Sequence, residues 1–408
     1  MTTLLFTYSI YKTSYLAANN LFRQIPMELE SFADEFGPEM IVEVYNPQVG
    51  LKGVLVIDNT ALGKGKGGIR MTPTVNVEEV FRLARTMTWK NALAELPFGG
   101  AKAGIIADVR SMSKEKKKSI IQGFARALKP LSPSKYIAGP DVNTAEEDMN
   151  WYAEANGNWH SCTGKPANVC MKLFGKKGEK CGIPHEFGST GFGVAHATAV
   201  AADHIGMRID GATVAIEGFG NVGTFTAKHL AEFGAKIIAV SDSKGMIYNS
   251  DGLDVKKLLG VKEDTGSIIN YMHGKILPNK EIFELGVDIL IPSALPDVIN
   301  KGNVDKVKAR IIIEAANIPM KEDVEDILHK HGILVVPDFV ANAGGVISSY
   351  AEYRGHNPKR MFELVERKIK KNVSAVLNRA SKENVKPRDA AMKIAVERVK
   401  KSMNKKDR

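Results

Sequence analysis

Apolar residues recur along this chain with two different periods. Val80, Leu83, Met87 and Ala92 fall three to five residues apart and predict a helix over residues 77–96, and residues 117–128 repeat that spacing. Before them, Val42-Glu43-Val44-Tyr45 and Lys52-Gly53-Val54-Leu55-Val56-Ile57 carry the β-branched content of strands. From about Gly188 the two signals alternate: helix 194–204, strand 213–217, helix 222–233, strand 237–241, then short apolar runs at 287–291, 311–314 and 333–336. Such alternation predicts an α/β fold, a parallel sheet covered by helices. After Pro337 only helical spacing remains, over 346–354, 359–379 and 387–403. No internal repeat or low-complexity segment interrupts the pattern.

Length sharpens this picture, because 408 residues are too many for one ordinary core and favour two domains. A chain that is 44% hydrophobic and 25% charged has the composition of a soluble globular protein. Its formal charge of +10 raises the question of nucleic acid. The basic runs at 114–118 and 176–180 are broken by Glu115 and Glu179, the third run is the tail from Lys400, and no aromatic residues interleave with them. They read as solvated faces and a frayed terminus, so no nucleic-acid partner is expected.

Cys162, Cys170 and Cys181 are an odd number in a long chain and read as ordinary loop thiols of a cytoplasmic protein. His160 and His185 flank them, but no Cys-x-x-Cys pair is present and no metal is expected. Residues 1–24 are moderately apolar yet interrupted by Lys12 and paired Asn, unlike a signal peptide, and no run approaches a membrane span. Residues 1–27 read as a flexible extension, or as an upstream start with Met27 the true one.

Chemistry concentrates in two regions. In the first, Pro97-Phe98-Gly99-Gly100-Ala101-Lys102 places a lysine on a glycine-rich apolar turn, where desolvation would make it a base near neutral pH. Lys66, in Gly65-Lys66-Gly67-Gly68-Ile69-Arg70, and Lys90 precede it, and Asp141 follows in Gly139-Pro140-Asp141. Three cations converging on one cleft suit a small dicarboxylate. In the second region, Gly218-Phe219-Gly220-Asn221-Val222-Gly223 lies directly after a predicted strand and before a predicted helix, the setting in which Gly218, Gly220 and Gly223 cradle a pyrophosphate. Asp242, at the end of the next strand, is placed to accept from a ribose hydroxyl and so to favour NAD, whereas Ser243 and Lys244 could hold a 2′-phosphate. The choice between NAD and NADP stays open.

These motifs, with Thr163-Gly164-Lys165-Pro166 and Asn342-Ala343-Gly344-Gly345, resemble the glutamate/leucine/phenylalanine/valine dehydrogenases over nearly the whole chain from Glu28, and within that family the glutamate dehydrogenases most closely. The resemblance implies two domains: a substrate-binding and catalytic α/β domain over 28–187, a Rossmann-like NAD(P) domain over 188–340, and helices over 341–408 that return to the first. It implies reversible oxidative deamination of L-glutamate to 2-oxoglutarate and ammonia, by a homo-hexamer. In that scheme Lys102 activates water and Asp141 exchanges a proton with the amino nitrogen. Lys90 holds the α-carboxylate, Lys66 (in the turn with Gly68) and Ser349 hold the side-chain carboxylate, and Thr190, Asn317 and Asn342 orient the nicotinamide.

Three features depart from the glutamate pattern. The connection from Pro166 to Ser189 is longer than usual, and Ala315-Ala316-Asn317-Ile318-Pro319 replaces a more glycine-rich turn. Ile57-Asp58-Asn59-Thr60-Ala61-Leu62-Gly63 is reminiscent of the branched-chain enzymes, which keeps leucine, valine or phenylalanine as an alternative substrate. A catalytically silent dinucleotide-binding paralogue is the other alternative, and the presence of both Lys102 and Asp141 argues against it.

Overall fold

The computed structural model describes residues 33–172 and 179–406; the extension expected over 1–27 lies outside them. The chain divides into two compact units. Among the described residues, one comprises 33–92, those of Leu96–Pro184 and 399–406; the other is His185–Arg398 with Leu93–Glu95. Boundaries near Phe187 and Val340 are expected from the sequence. The packing instead divides the chain at Pro184 and groups the helices after Val340 with the second unit as far as Arg398.

The first unit contains β1 (Met40–Asn46), β2 (Leu51–Asn59), β3 (Gly65–Lys66), β4 (Ile69–Thr72), α1 (Val77–Leu93), β5 (Gly99–Ile106), α2 (Lys114–Ala127), β6 (Tyr136–Ile137), α3 (Glu146–Asn156), β7 (Cys170–Lys172) and β8 (Glu179–Cys181). Its sheet runs β1-β2-β5-β3-β6, with β4 also pairing β5. β2 pairs antiparallel with both β1 and β5, while β3, β4 and β6 join in parallel. Beneath it, Leu51, Leu55, Ile57, Ile69, Phe124 and Tyr136 share one buried cluster.

Residues 99–106 correct an expectation: Lys102 sits on a central strand rather than on a turn. Glycine here serves close approach. A Cβ on Gly99 would lie 1.9 Å from the Asn59 carbonyl oxygen, and one on Gly100 would lie 2.0 Å from the Thr88 hydroxyl, so β5 lies against its neighbouring backbone and helix α1 because both positions lack side chains.

The thiol expectation also changes. β7 and β8 pair antiparallel with Cys170 opposite Cys181, and that register joins the two sulfurs in a disulfide within the long connection; the buried Cys162 is not part of it.

In the second unit follow α4 (Ser189–His204), β9 (Thr213–Glu217), α5 (Asn221–Glu232), β10 (Lys236–Asp242), β11 (Gly245–Tyr248), α6 (Val255–Thr265), β12 (Lys275–Leu277), β13 (Ile289–Pro292), β14 (Ile311–Ile313), α7 (Glu322–Lys330), β15 (Leu334–Val336), α8 (Asp338–Ala341), α9 (Gly344–Arg354), α10 (Pro358–Glu383) and α11 (Pro387–Lys406), whose last turns belong to the first unit. The sheet order is β12-β11-β10-β9-β13-β14-β15. The five strands from β10 to β15 are parallel, and an antiparallel pair closes the β12 edge. Strand order reverses direction at β9, whose two neighbours are β10 and β13, so the crevice at the carboxyl ends of these strands is where a Rossmann-like sheet takes a dinucleotide.

Candidate functional site

In the first unit the fold brings Lys102, Asp141 and Arg70 together. β4 alternates, with Ile69 and Met71 buried and Arg70 on the other face, and its parallel pairing to β5 aligns Arg70 with Gly104. Asp141 Oδ2 accepts from Arg70 Nε at 2.9 Å and lies 3.1 Å from Lys102 Nζ. Thr144 fixes the aspartate's backbone: its hydroxyl accepts from the Asp141 N–H at 2.9 Å and donates to the Ile69 carbonyl at 2.7 Å. Gly68 is required in this arrangement, because a Cβ there would meet the Pro140 carbonyl oxygen at 2.6 Å and Asp141 Cβ at 2.8 Å.

Electrostatics follow from that packing. Burial of Lys102, 6% exposed, destabilises its ammonium; Asp141 opposes the effect and Arg70 reinforces it, with a pKa below the ordinary lysine value as the outcome. Burial alone would raise the Asp141 carboxyl, but Lys102 and Arg70 outweigh it and hold the group below its usual range. The result is a lysine disposed to give up its proton beside a carboxylate that stays ionised.

Lys66 is buried and donates to the Ala138 carbonyl at 2.8 Å. Gly139 leaves it room, since a Cβ there would come within 2.5 Å of the ammonium. Lys90 occupies the last turn of α1, half-buried. Asp58, from the segment reminiscent of branched-chain enzymes, is fully buried and accepts both from Arg85 Nε at 2.9 Å and from the Thr88 hydroxyl at 2.5 Å. It therefore clamps α1 to β2, a structural use of that motif.

Arg70 is the residue that sequence reasoning missed. Its signal was present: one charged side chain between two apolar ones, directly after the Lys66 glycine turn.

The second unit gathers the expected cofactor residues at the carboxyl ends of its strands. Gly218 has φ +92° and donates its N–H to the Ser241 hydroxyl at 3.1 Å. A Cβ on Gly223 would collide with the Gly218 carbonyl oxygen at 1.8 Å, whereas one on Gly220 would meet nothing within 4 Å. Open space therefore faces Gly220 at the start of α5. That helix has no side-chain cap at its N-terminus, and Asn221 Oδ1 is buried without a hydrogen-bond partner. Free backbone donors beside an open glycine fit a pyrophosphate.

Thr190, buried at the start of α4, neighbours both the glycine turn and the Asn342 segment. A Cβ on Gly191 would lie 2.6 Å from the Val222 carbonyl oxygen, and one on Gly345 would lie 3.1 Å from the Thr190 hydroxyl. Asn342 Nδ2 donates to Asn317 Oδ1 at 2.9 Å, so two of the expected nicotinamide residues touch. Ser349 lies on α9, half-buried.

Asp242 presents a different picture from a free ribose acceptor. Its Oδ2 accepts from Lys262 Nζ at 2.8 Å, Ser267 Oγ at 2.9 Å and Ile268 N at 3.0 Å, while Oδ1 accepts from Lys244 N at 2.9 Å. Burial opposes ionisation, yet these donors, Lys262 foremost, pull its pKa down to about 2. The carboxylate is a structural anchor with its charge compensated by Lys262, and only Oδ1 keeps capacity to accept. Ser243 and Lys244 beside it are exposed. Among the described residues, no group of three or more His, Cys, Asp or Glu could hold a metal ion, and no helix is long and apolar enough to cross a membrane.

Comparison with known proteins matches both halves of the chain to one family. The profile described as "Glu/Leu/Phe/Val dehydrogenase, dimerisation domain" matches residues 38–157, and "Glutamate/Leucine/Phenylalanine/Valine dehydrogenase" matches residues 181–407. A glutamate dehydrogenase of Aeropyrum pernix is 41% identical over 357 residues, 85% of this chain and 84% of that one. An NADP-specific glutamate dehydrogenase of Saccharolobus shibatae is 43% identical over 297 residues, 72% of this chain and 69% of that one. Among solved structures, the glutamate dehydrogenase of Peptoniphilus asaccharolyticus superposes with a TM-score of 0.77 at 31% identity, covering 90% of this chain and 92% of that one. The hetero-hexameric glutamate dehydrogenase of Thermus thermophilus superposes with a TM-score of 0.78 at 29% identity, covering 90% and 89%. This chain belongs to the glutamate/leucine/phenylalanine/valine dehydrogenase family.

Proposed function

We infer that this protein is an NAD(P)-dependent glutamate dehydrogenase, which interconverts L-glutamate, NAD(P)+ and water with 2-oxoglutarate, ammonium, NAD(P)H and a proton. The observation that carries the chemistry is the buried contact between Lys102 and Asp141, 3.1 Å apart, with Arg70 as the second cation on the same carboxylate oxygen.

When bound, NAD(P) supplies the redox step by accepting the hydride from the substrate Cα. Gly218, Gly220, Asn221, Val222 and Gly223 would hold its pyrophosphate through backbone donors, and Thr190, Asn317 and Asn342 would orient its nicotinamide. Neutral Lys102 takes a proton from the water that adds to the imine carbon, and its ammonium form then stabilises the oxyanion. Asp141, kept ionised by Lys102 and Arg70, accepts a proton from the amino nitrogen and returns one as ammonia leaves. Lys90 binds the α-carboxylate. Lys66 and Ser349 read the distal carboxylate, and the buried ammonium of Lys66 favours a charged side chain over an apolar one there. The enzyme works as a homo-hexamer in the cytoplasm.

Steady-state rates with glutamate, leucine, valine and phenylalanine, each with NAD and with NADP, test the assignment. Glutamate should lead by at least about a hundredfold in kcat/KM, the order expected for a site built around a charge. A preference for leucine or phenylalanine would overturn the substrate; no turnover of any of them would overturn the activity.

A further inference from the structure

Arg388, the second residue of α11, reaches three buried carboxylates of the second unit, one in the loop after β14, one on α7 and one on α8. Its Nη2 donates to Glu314 Oε2 at 2.6 Å, its Nε to Glu325 Oε2, and its Nη1 lies 3.5 Å from Asp338 Oδ1. The side chains of Glu314, Glu325 and Asp338 are 0%, 1% and 7% exposed.

Two of those carboxylates lead directly to the segment 315–318. Glu314 immediately precedes it and also accepts from the Asp338 N–H at 2.8 Å. Asp338 Oδ2 accepts from the Ile318 N–H at 3.0 Å, holding a residue whose φ of +51° is unfavourable for a β-branched side chain. The Asp338 carbonyl accepts from the Asn342 N–H, and Asn342 donates through Nδ2 to Asn317 Oδ1. Through these contacts Arg388 braces the segment that carries Asn317 and the turn of α8 that leads to Asn342.

A buried cluster of this kind is a poor stabiliser. Desolvating such a cluster is costly, and Glu314 Oε1 and Glu325 Oε1 lack hydrogen-bond partners. Burial pushes Glu314 up to about 8, with Arg388 opposing and the two neighbouring carboxylates adding to the rise. An apolar contact would pack these elements at lower cost; what the cluster provides is a fixed position for the backbone segment that holds Ile318 at a positive φ.

We propose that Arg388 is a positioning residue for the cofactor: through Glu314 and Asp338 it sets the conformation of 315–318 and so places Asn317 and Asn342 at the nicotinamide end. This rests on the assignment of an NAD(P) site to this unit, and it separates the two ends of the dinucleotide. The brace acts on the nicotinamide segment alone, whereas the glycine turn at 218–223 is held by Ser241 and Ser293.

The test measures dissociation constants of the full-length protein for NADH and NADPH, and for the fragments ADP-ribose and 2′-phospho-ADP-ribose, which lack nicotinamide. Arg388→Lys keeps a positive charge but cannot fork to three carboxylates, and Asp338→Asn is a second variant with near-native shape. In both, the reduced dinucleotides should bind at least about tenfold more weakly while the fragments stay within about twofold, the pattern of a lost positioning contact rather than of general loosening. Equal weakening of dinucleotides and fragments, or no weakening in either folded variant, would overturn the positioning role. Wild-type protein that binds neither NADH nor NADPH would overturn the cofactor assignment itself, and the inference with it.

Discussion

Replacing Arg70 by Gln should move the acid limb of the pH–rate profile for glutamate oxidation to higher pH. Arg70 Nε and Lys102 Nζ flank one oxygen of Asp141 at 2.9 and 3.1 Å, so they stand at most about 6 Å apart. At an effective dielectric of about 20, their repulsion is 332/(20 × 6), about 3 kcal/mol. The side chains of Arg70, Asp141 and Lys102 are 21%, 19% and 8% exposed, so solvent screens little of it. Without the guanidinium, burial alone opposes Asp141 and Glu79, both of which favour the ammonium form of Lys102.

The sign follows. Neutral lysine is the working base, activity rises as pH passes upward through its pKa, and loss of a neighbouring cation raises that pKa. On the acid limb kcat/KM should fall by about tenfold to a hundredfold, since each 1.4 kcal/mol or so is a factor of ten, and on the alkaline plateau it should return towards the wild-type value. Initial rates at saturating cofactor, from about pH 6 to pH 10, resolve limb from plateau. Arg70→Lys, which keeps the charge, should leave the limb near its original position. A limb that stays fixed or moves to lower pH in Arg70→Gln would refute the assignment of Lys102 as the titrating base, and a lowered plateau would show that Arg70 does more than tune it.

Lys102→Ala should abolish turnover while NADPH affinity, followed by fluorescence, stays within about threefold, because the lysine acts on substrate and water; retained turnover would remove it from the mechanism. Lys262→Met should shift the ratio of kcat/KM towards NAD by about three- to tenfold, because it leaves the Asp242 carboxylate uncompensated against a 2′-phosphate; an unchanged ratio would place that carboxylate away from the ribose. Lys66→Leu should cost glutamate at least about a hundredfold in kcat/KM and cost leucine far less, a contrast that competition between the two substrates reads directly. Asp58→Ala leaves Arg85 and Thr88 without their buried acceptor and should cost about 3 to 5 kcal/mol in denaturant unfolding with the ratio of substrate preferences unchanged; an altered preference would return the segment 57–63 to the substrate site.

What the sequence discloses depends on how far apart the interacting residues lie. The glycine turn at 218–223 is legible because strand, turn and helix follow one another within about twenty residues, and each glycine answers a local demand such as the positive φ of Gly218. β5 is not legible as a strand: Gly99, Gly100 and Gly104 lower its apparent β-propensity, while their actual use is to admit Thr88, the Asn59 carbonyl and Val75 with Val80 from distant parts of the chain. Asp242 is found at the right place but with its carboxylate already engaged, since Lys262, Ser267 and Ile268 come from elements 20 to 26 residues later.

The Cys170–Cys181 disulfide depends on a hairpin register that spacing alone does not give. Arg388 is the extreme case, 74 positions from Glu314 and 50 from Asp338. Nothing adjacent to it marks it as more than a helix-start arginine. Its importance comes from desolvation: once the sheet buries three carboxylates behind the segment 315–318, a cation must be brought to them, and the chain supplies it from the first turn of α11. Residues that contact ligand tend to sit in short local motifs, because backbone geometry must present them. Residues that fix those motifs in place are recruited through three-dimensional packing, and for this chain they become visible only when burial and charge are considered together.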